Sequence, residues 1–284
     1  MTVAPLLVVL SLLGADVTPG PWKPLFALPS AGPGPFVAIW ADESGSIVAV
    51  GREVIVQGTR TGAFKTTPLP PTHGLFGVWG RRADDVFAVG PRQLIMHFTD
   101  QKWITERPRQ EGNPRRLMLY HIGPFLPDLP DTVVAYGPGD GEDGLKRLSG
   151  AWTPVTPPET AAIRRREQRD LPSHKPCRAG TYQTSVTVDG QQWVQCHDRS
   201  VLLKQGDTFV PRGHAPKACM KEGVPLHGSA IWKGDLFVNC GRETWRNHGT
   251  EWVREPAPEK LRSLFATPAC LYAATDTSIL ARCD

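Results

Sequence analysis

Val78-Trp79-Gly80-Arg81-Arg82-Ala83-Asp84-Asp85-Val86-Phe87-Ala88-Val89-Gly90 echoes Ile39-Trp40-Ala41-Asp42-Glu43-Ser44-Gly45-Ser46-Ile47-Val48-Ala49-Val50-Gly51, with the tryptophan and the final valine at the same offset. A period near 40 residues marks stacked or radial units. Looser copies begin at Leu119-Tyr120, Thr181-Tyr182, Ile231-Trp232 and Leu264-Phe265. Each leads into a strand-like run: Thr132 to Tyr136, Gln192 to Cys196, Leu236 to Cys240 and Cys270 to Ala274.

A second landmark follows in each unit, an alternating strand, a polar turn and then an aromatic that opens a strand. The aromatics are Phe64, Trp103, Trp152, Phe209 and Trp252. A full unit therefore carries four short strands, A to D, separated by turn chemistry. Packing in the wedge between neighbouring units is the role read for these rings. The last unit stops at Ser278 to Asp284, its third strand, while Gly20-Pro21-Trp22-Lys23-Pro24-Leu25 supplies a turn, an aromatic and a strand D at the other end of the chain. Pairing the two closes a ring and leaves no long free edge. The expected fold is all-β, a six-bladed β-propeller whose N-terminal strand completes the last blade, with 16–284 forming a single domain.

The Val78 to Gly90 pattern resembles the repeats of secreted bacterial β-propeller proteins, themselves distantly similar to sialidase-type repeats. The resemblance implies the fold and export; it implies no particular ligand. The sialidase aspartate box survives only as fragments, Thr99-Asp100-Gln101-Lys102-Trp103 and Leu148-Ser149-Gly150-Ala151-Trp152.

Composition agrees with many short strands. Gly and Pro number 28 each, far more punctuation than long helices tolerate, and the 40% hydrophobic residues suffice for a core. The apolar run Val3 to Leu13 is too short to span a bilayer and matches a signal-peptide core, with Ala15 as the cleavage position. Residues 1–15 are therefore read as a signal peptide, and the mature protein as secreted or periplasmic, without a transmembrane segment. Residues 157–177 interrupt the repeat between the third and fourth units. There, Thr160 to Arg169 has good helix formers behind a Thr160 N-cap, which predicts a short surface helix.

Six cysteines fit an oxidising destination. Cys177 and Cys196 hold the same relative places in the fourth unit as Cys219 and Cys240 in the fifth, while Cys270 and Cys283 lie on adjacent strands of the last. The pairings 177–196, 219–240 and 270–283 follow, with 177–219 and 196–240 as the competing arrangement. His174, Cys177, Cys196 and His197 could instead hold zinc, and Asp140 to Gly144 has a partial calcium-loop character. The disulfide reading outweighs the first and a solvated turn the second, so neither a metal nor a cofactor is expected.

No nucleophile elbow, metalloprotease helix, phosphate loop or dinucleotide fingerprint is present, and no catalytic residue is assigned. Charge supplies the functional hint. The D-to-A connections, as delimited by the repeat, hold seventeen cations, among them Lys65, Arg107, Arg109, Arg164, Arg165, Arg166, Arg212 and Arg254, against eight acids that include Glu106, Glu255 and Glu259. That surplus of nine exceeds the net +4 of the whole chain. Arg52, Arg92, Arg199 and Arg242 add charge from B-to-C turns, which a propeller places on the same face. The bland alternative is a solvated loop surface. The expectation is a monomeric, non-enzymatic binding protein whose Arg-bearing face meets an anionic glycan, lipid headgroup or protein, and not nucleic acid. The alternatives are a glycan-active hydrolase or lyase, which needs converging carboxylates or a Tyr-His base at the channel mouth, and a structural repeat acting through its rim.

Overall fold

The computed structural model describes residues 20–29, 34–111, 118–126, 129–137, 144–156, 177, 182–188, 191–196, 198–206, 208–219, 229–240 and 242–283. The expected signal peptide, the expected Thr160–Arg169 helix and the Asp140–Gly144 turn lie outside these residues. So do His174, His197 and Arg164 to Arg166.

Among the described residues, twenty-four strands form six four-stranded antiparallel sheets. Strand β1 (Lys23–Ala27) stands apart from its sequence neighbours. The first sheet is β2 (Phe36–Ala41), β3 (Ser46–Gly51), β4 (Val54–Thr59) and β5 (Lys65–Pro68); the second is β6 (Gly77–Arg82), β7 (Asp85–Val89), β8 (Ile95–Thr99) and β9 (Lys102–Arg107). The third is β10 (His121–Leu126), β11 (Leu129–Tyr136), β12 (Leu145–Leu148) and β13 (Ala151–Pro154). The fourth is β14 (Tyr182–Val188), β15 (Gln191–Cys196), β16 (Ser200–Gln205) and β17 (Thr208–His214), and the fifth is β18 (Ala230–Trp232), β19 (Asp235–Cys240), β20 (Glu243–His248) and β21 (Glu251–Glu255). The sixth takes β22 (Ser263–Ala266), β23 (Cys270–Ala274) and β24 (Ser278–Cys283), and β1 pairs with β24 from Lys23 opposite Ala281 to Ala27 opposite Ser278. The outer strand of the last sheet thus comes from the other end of the chain, as the truncated repeat requires.

The strands read as continuous apolar runs because both faces of a sheet are covered. On β3, Ile47 and Ala49 pack with Tyr272 and Ile279 of the sixth sheet, while Val48 and Val50 pack with Val86 and Ala88 of the second. On β19, Phe237 joins Leu271 and Leu280 of the sixth sheet, and Leu236 and Val238 join Trp193 and Val201 of the fourth. First strands of neighbouring sheets touch, β2 with β6 and β22, β6 with β10, and β18 with β22, which places them at the centre of a β-propeller.

All three disulfides join the expected partners, Cys177–Cys196, Cys219–Cys240 and Cys270–Cys283. In the fourth and fifth sheets the bond ties the end of strand B to the segment leading into strand A. Glycines do the same work in the first three. A Cβ on Gly51, Gly90 or Gly137 would lie 2.7 Å from Pro35 O, 2.2 Å from Gly74 O or 2.0 Å from Met118 O. The same close approach is therefore met by a missing side chain in the first three sheets and by a covalent bond in the fourth and fifth.

Candidate functional site

Antiparallel order places every B-to-C turn and every D-to-A connection on one face. Arg52 lies between β3 and β4, Arg92 between β7 and β8, Arg199 between β15 and β16, and Arg242 between β19 and β20. Backbone hydrogen bonds from the strand-D exits fix three of these turns: Leu69 N–H donates to Glu53 O at 2.8 Å, Gln110 N–H to Arg92 O at 2.7 Å and Ala215 N–H to Arg199 O at 2.8 Å. Arg92 and Arg199 adopt φ of 55° and 72°. Arg52 and Arg242 are exposed and the other two half-buried. None of the four side chains enters an ion pair among the described residues. In the sixth sheet the equivalent turn carries Asp276 instead, 2.5 Å from Arg262.

The charge count changes in one respect. Lys65, Glu106, Arg107, Arg212, Arg254 and Glu255 lie in the outer strands β5, β9, β17 and β21, not in connections. Repeat boundaries read from sequence ended strand D too early, because its outward-facing positions are polar and resemble loop. Within the described connections, Arg109, Lys217, Lys260 and Arg262 stand against Glu111 and Glu259. Arg107 donates from Nη2 to Gln93 Oε1 at 2.9 Å, and Arg109 Nε is buried without a hydrogen-bond partner among the described residues.

An open cavity of about 740 Å³ sits on this face, lined by Arg242, Arg254 and Lys260 together with Glu243, Glu255 and Glu259. Its charges balance formally, but some are already engaged. Arg254 lies 3.4 Å from Glu243, and Glu255 is held by two arginines. Arg242 and Lys260 against Glu259 remain.

Glu255 also belongs to a seam between sheets, and a second buried carboxylate, Glu106, occupies another. Glu106 on β9 accepts from Arg147 Nε at 2.9 Å and Nη2 at 2.8 Å, and from Trp152 Nε1 at 2.6 Å, both residues of the third sheet. His97 Nδ1 lies 2.7 Å from Glu106 Oε1, and His97 Nε2 lies 2.8 Å from Asp85 Oδ1. Burial raises the Glu106 pKa, but the donors His97, Arg147 and Trp152, with the charge of Arg147, outweigh it and hold the group at about 2. A carboxylate so engaged is neither a proton donor nor a free nucleophile. Sequence reasoning missed this cluster, although Trp103-x-x-Glu106 and Trp252-x-x-Glu255 repeat at the same offset.

No family model matches the chain, and no curated protein matches it in sequence. Solved structures do match. YCF48 bound to a D1 peptide superposes with a TM-score of 0.54 at 11% identity, covering 93% of this chain and 97% of that one. A protein of unknown function from Bacteroides thetaiotaomicron gives 0.54 at 9% identity over 92% of this chain and 75% of its own. A putative gluconolactonase gives 0.50 at 13% identity, over 93% of this chain and 91% of that one. At such identities the likeness concerns the fold alone: the chain is a β-propeller.

Proposed function

We propose that this chain is an exported, non-enzymatic propeller that binds an anionic partner through the face bearing Arg52, Arg92, Arg199 and Arg242, with Arg107, Arg109 and Arg164 to Arg166 contributing from the same side. Residues 1–15 serve as its signal peptide, and 16–284 form one six-bladed domain. The carrying observation is the placement of four arginines in equivalent B-to-C turns, three of the turns tied through the backbone and all four side chains outside any ion pair among the described residues. Guanidinium groups so arranged focus positive potential and present paired donors to carboxylate, sulfate or phosphate. Three disulfides belong to an oxidising compartment.

The test is binding of the mature protein to acidic and neutral glycans and to anionic vesicles at two salt concentrations. Affinity falls with salt, because exposed charges are screened over about 10 Å at 0.1 M. Reversing Arg52, Arg92, Arg199 and Arg242 to Glu abolishes binding and leaves the melting temperature nearly unchanged, since surface charges outside ion pairs add little stability. Unchanged affinity in that variant, or salt-insensitive binding, returns this face to solvated surface.

A further inference from the structure

Beside two of the turn arginines, a backbone bond to the next sheet is followed by an aromatic residue. Gly51, which precedes Arg52, accepts the N–H of Leu75 at 3.0 Å, and the following residue is Phe76. Gly90, just before Pro91-Arg92, accepts the N–H of Leu119 at 3.2 Å, and the following residue is Tyr120. Phe76 N–H then donates to Val89 O at 2.8 Å and Tyr120 N–H to Tyr136 O at 3.0 Å, setting each ring at the start of strand A, on the arginine face and close to the centre. A Cβ on Gly77 would lie 2.5 Å from Tyr120 O, so this glycine is what lets the two strand starts converge. Their rings stack with centroids 5.1 Å apart at 17°. Phe76 covers one ring face of Tyr120, which stays 37% exposed, and Tyr136 beside it is 43% exposed.

Rings left in solvent in this way mark a contact surface, because each offers a large apolar area with a polar edge at little entropic cost. Cations alternate with rings once per sheet along the strip: Arg52, Phe76, Arg92, Tyr120. That order suits a partner that repeats an apolar face and a carboxylate. We infer that the strip Arg52–Phe76–Arg92–Tyr120–Tyr136 binds an acidic polysaccharide of the polyuronate class, the pyranose rings lying on Tyr120 and Tyr136 and the carboxylates pairing with Arg52 and Arg92. The inference rests on the anionic-partner reading above and names the chemistry of that partner.

Affinity electrophoresis of the full chain in gels containing polygalacturonate or neutral dextran tests it. Polygalacturonate retards the wild-type protein and dextran does not. Tyr120→Ala and Tyr136→Ala each weaken the retardation about tenfold, the size expected of a central aromatic contact, and Tyr120→Phe restores it at unchanged melting temperature. No retardation of the wild type, equal retardation by dextran, or full retardation of both alanine variants overturns the inference. If retardation survives Tyr120→Ala and Tyr136→Ala but is lost in Arg52→Glu/Arg92→Glu, the polyuronate strip falls and the anionic face stands. If it survives the arginine reversal, both fall.

Discussion

Glu106 and Glu255 stand at the same offset in the outer strands of the second and fifth sheets, three residues beyond Trp103 and Trp252, and each grips an arginine of the following sheet. Glu106 is contacted by His97, Arg147 and Trp152, with Asp85 and Phe87 against His97; Glu255 is contacted by Arg246 and Arg282, with Asp235 against Arg246 and Trp22 under Arg282. Arg282 Nη1 donates to Glu255 Oε2 at 2.6 Å, Arg246 Nε lies 2.9 Å from Glu255 Oε1, and Arg246 Nη1 lies 3.3 Å from Asp235 Oδ2. The fourth-to-fifth seam uses a backbone acceptor instead: Asn247 Nδ2 and Trp252 Nε1 donate to Arg212 O at 2.9 and 3.0 Å. The outer strand of one sheet is thus held by side-chain donors of the next.

Removing one partner of such a pair leaves the other buried and uncompensated. Glu255→Ala, with both groups of the pair 5% exposed, is expected to lower unfolding free energy by about 3 kcal/mol. Glu106→Ala costs less, about 2 kcal/mol, because Arg147 is 21% exposed and recovers some hydration. Urea unfolding of the two variants, at unchanged m-value, measures this ordering.

Acid weakens the second-to-third seam in a defined window. Glu106 has its pKa depressed from 4.5 to about 2, so its contribution is fully present above 4.5 and is lost as pH falls towards 2. The linked stability is of the order of 3 kcal/mol. Melting of wild type and Glu106→Gln between pH 6 and pH 2 checks it: the variant starts lower and has the flatter profile across that range.

The strand-B exits are sensitive to a single methyl group in the first three sheets and to reduction in the next two. Gly90→Ala places Cβ against Gly74 O and is expected to cost about 2 kcal/mol. Cys219→Ser/Cys240→Ser is expected to cost about 3 kcal/mol. Adding reductant should destabilise wild type and leave the other two disulfides as the only redox-sensitive part of the double variant, which unfolding with and without dithiothreitol measures.

Deleting residues 20–29 removes β1, exposes the edge of β24 and breaks the hydrogen bond from Arg282 Nε to Gly20 O at 2.6 Å. Self-association that rises with concentration in light scattering is the expected outcome. A deletion that stays monomeric with an unchanged melting temperature would show that closure contributes nothing.

The repeat, the cysteine pairs and the complementary ends were legible in the sequence because each is a local pattern copied at a fixed period. Trp40 and Trp79 announce the same strand, Cys177–Cys196 and Cys219–Cys240 hold the same relative places at separations of 19 and 21 residues, and Trp22 stands where the last unit lacks its aromatic. The placement of Arg52, Arg92, Arg199 and Arg242 in turns was legible for the same reason. Which charges are available was not. Glu106 and Glu255 read as loop acids, yet their partners Arg147 and Arg282 lie in the next sheet, 41 and 27 residues along the chain. A contact between units leaves no periodic trace within either. The meeting of Phe76 with Tyr120 is likewise a matter of tertiary structure alone: it depends on Gly77 admitting a neighbouring backbone that only the closed arrangement of sheets brings near.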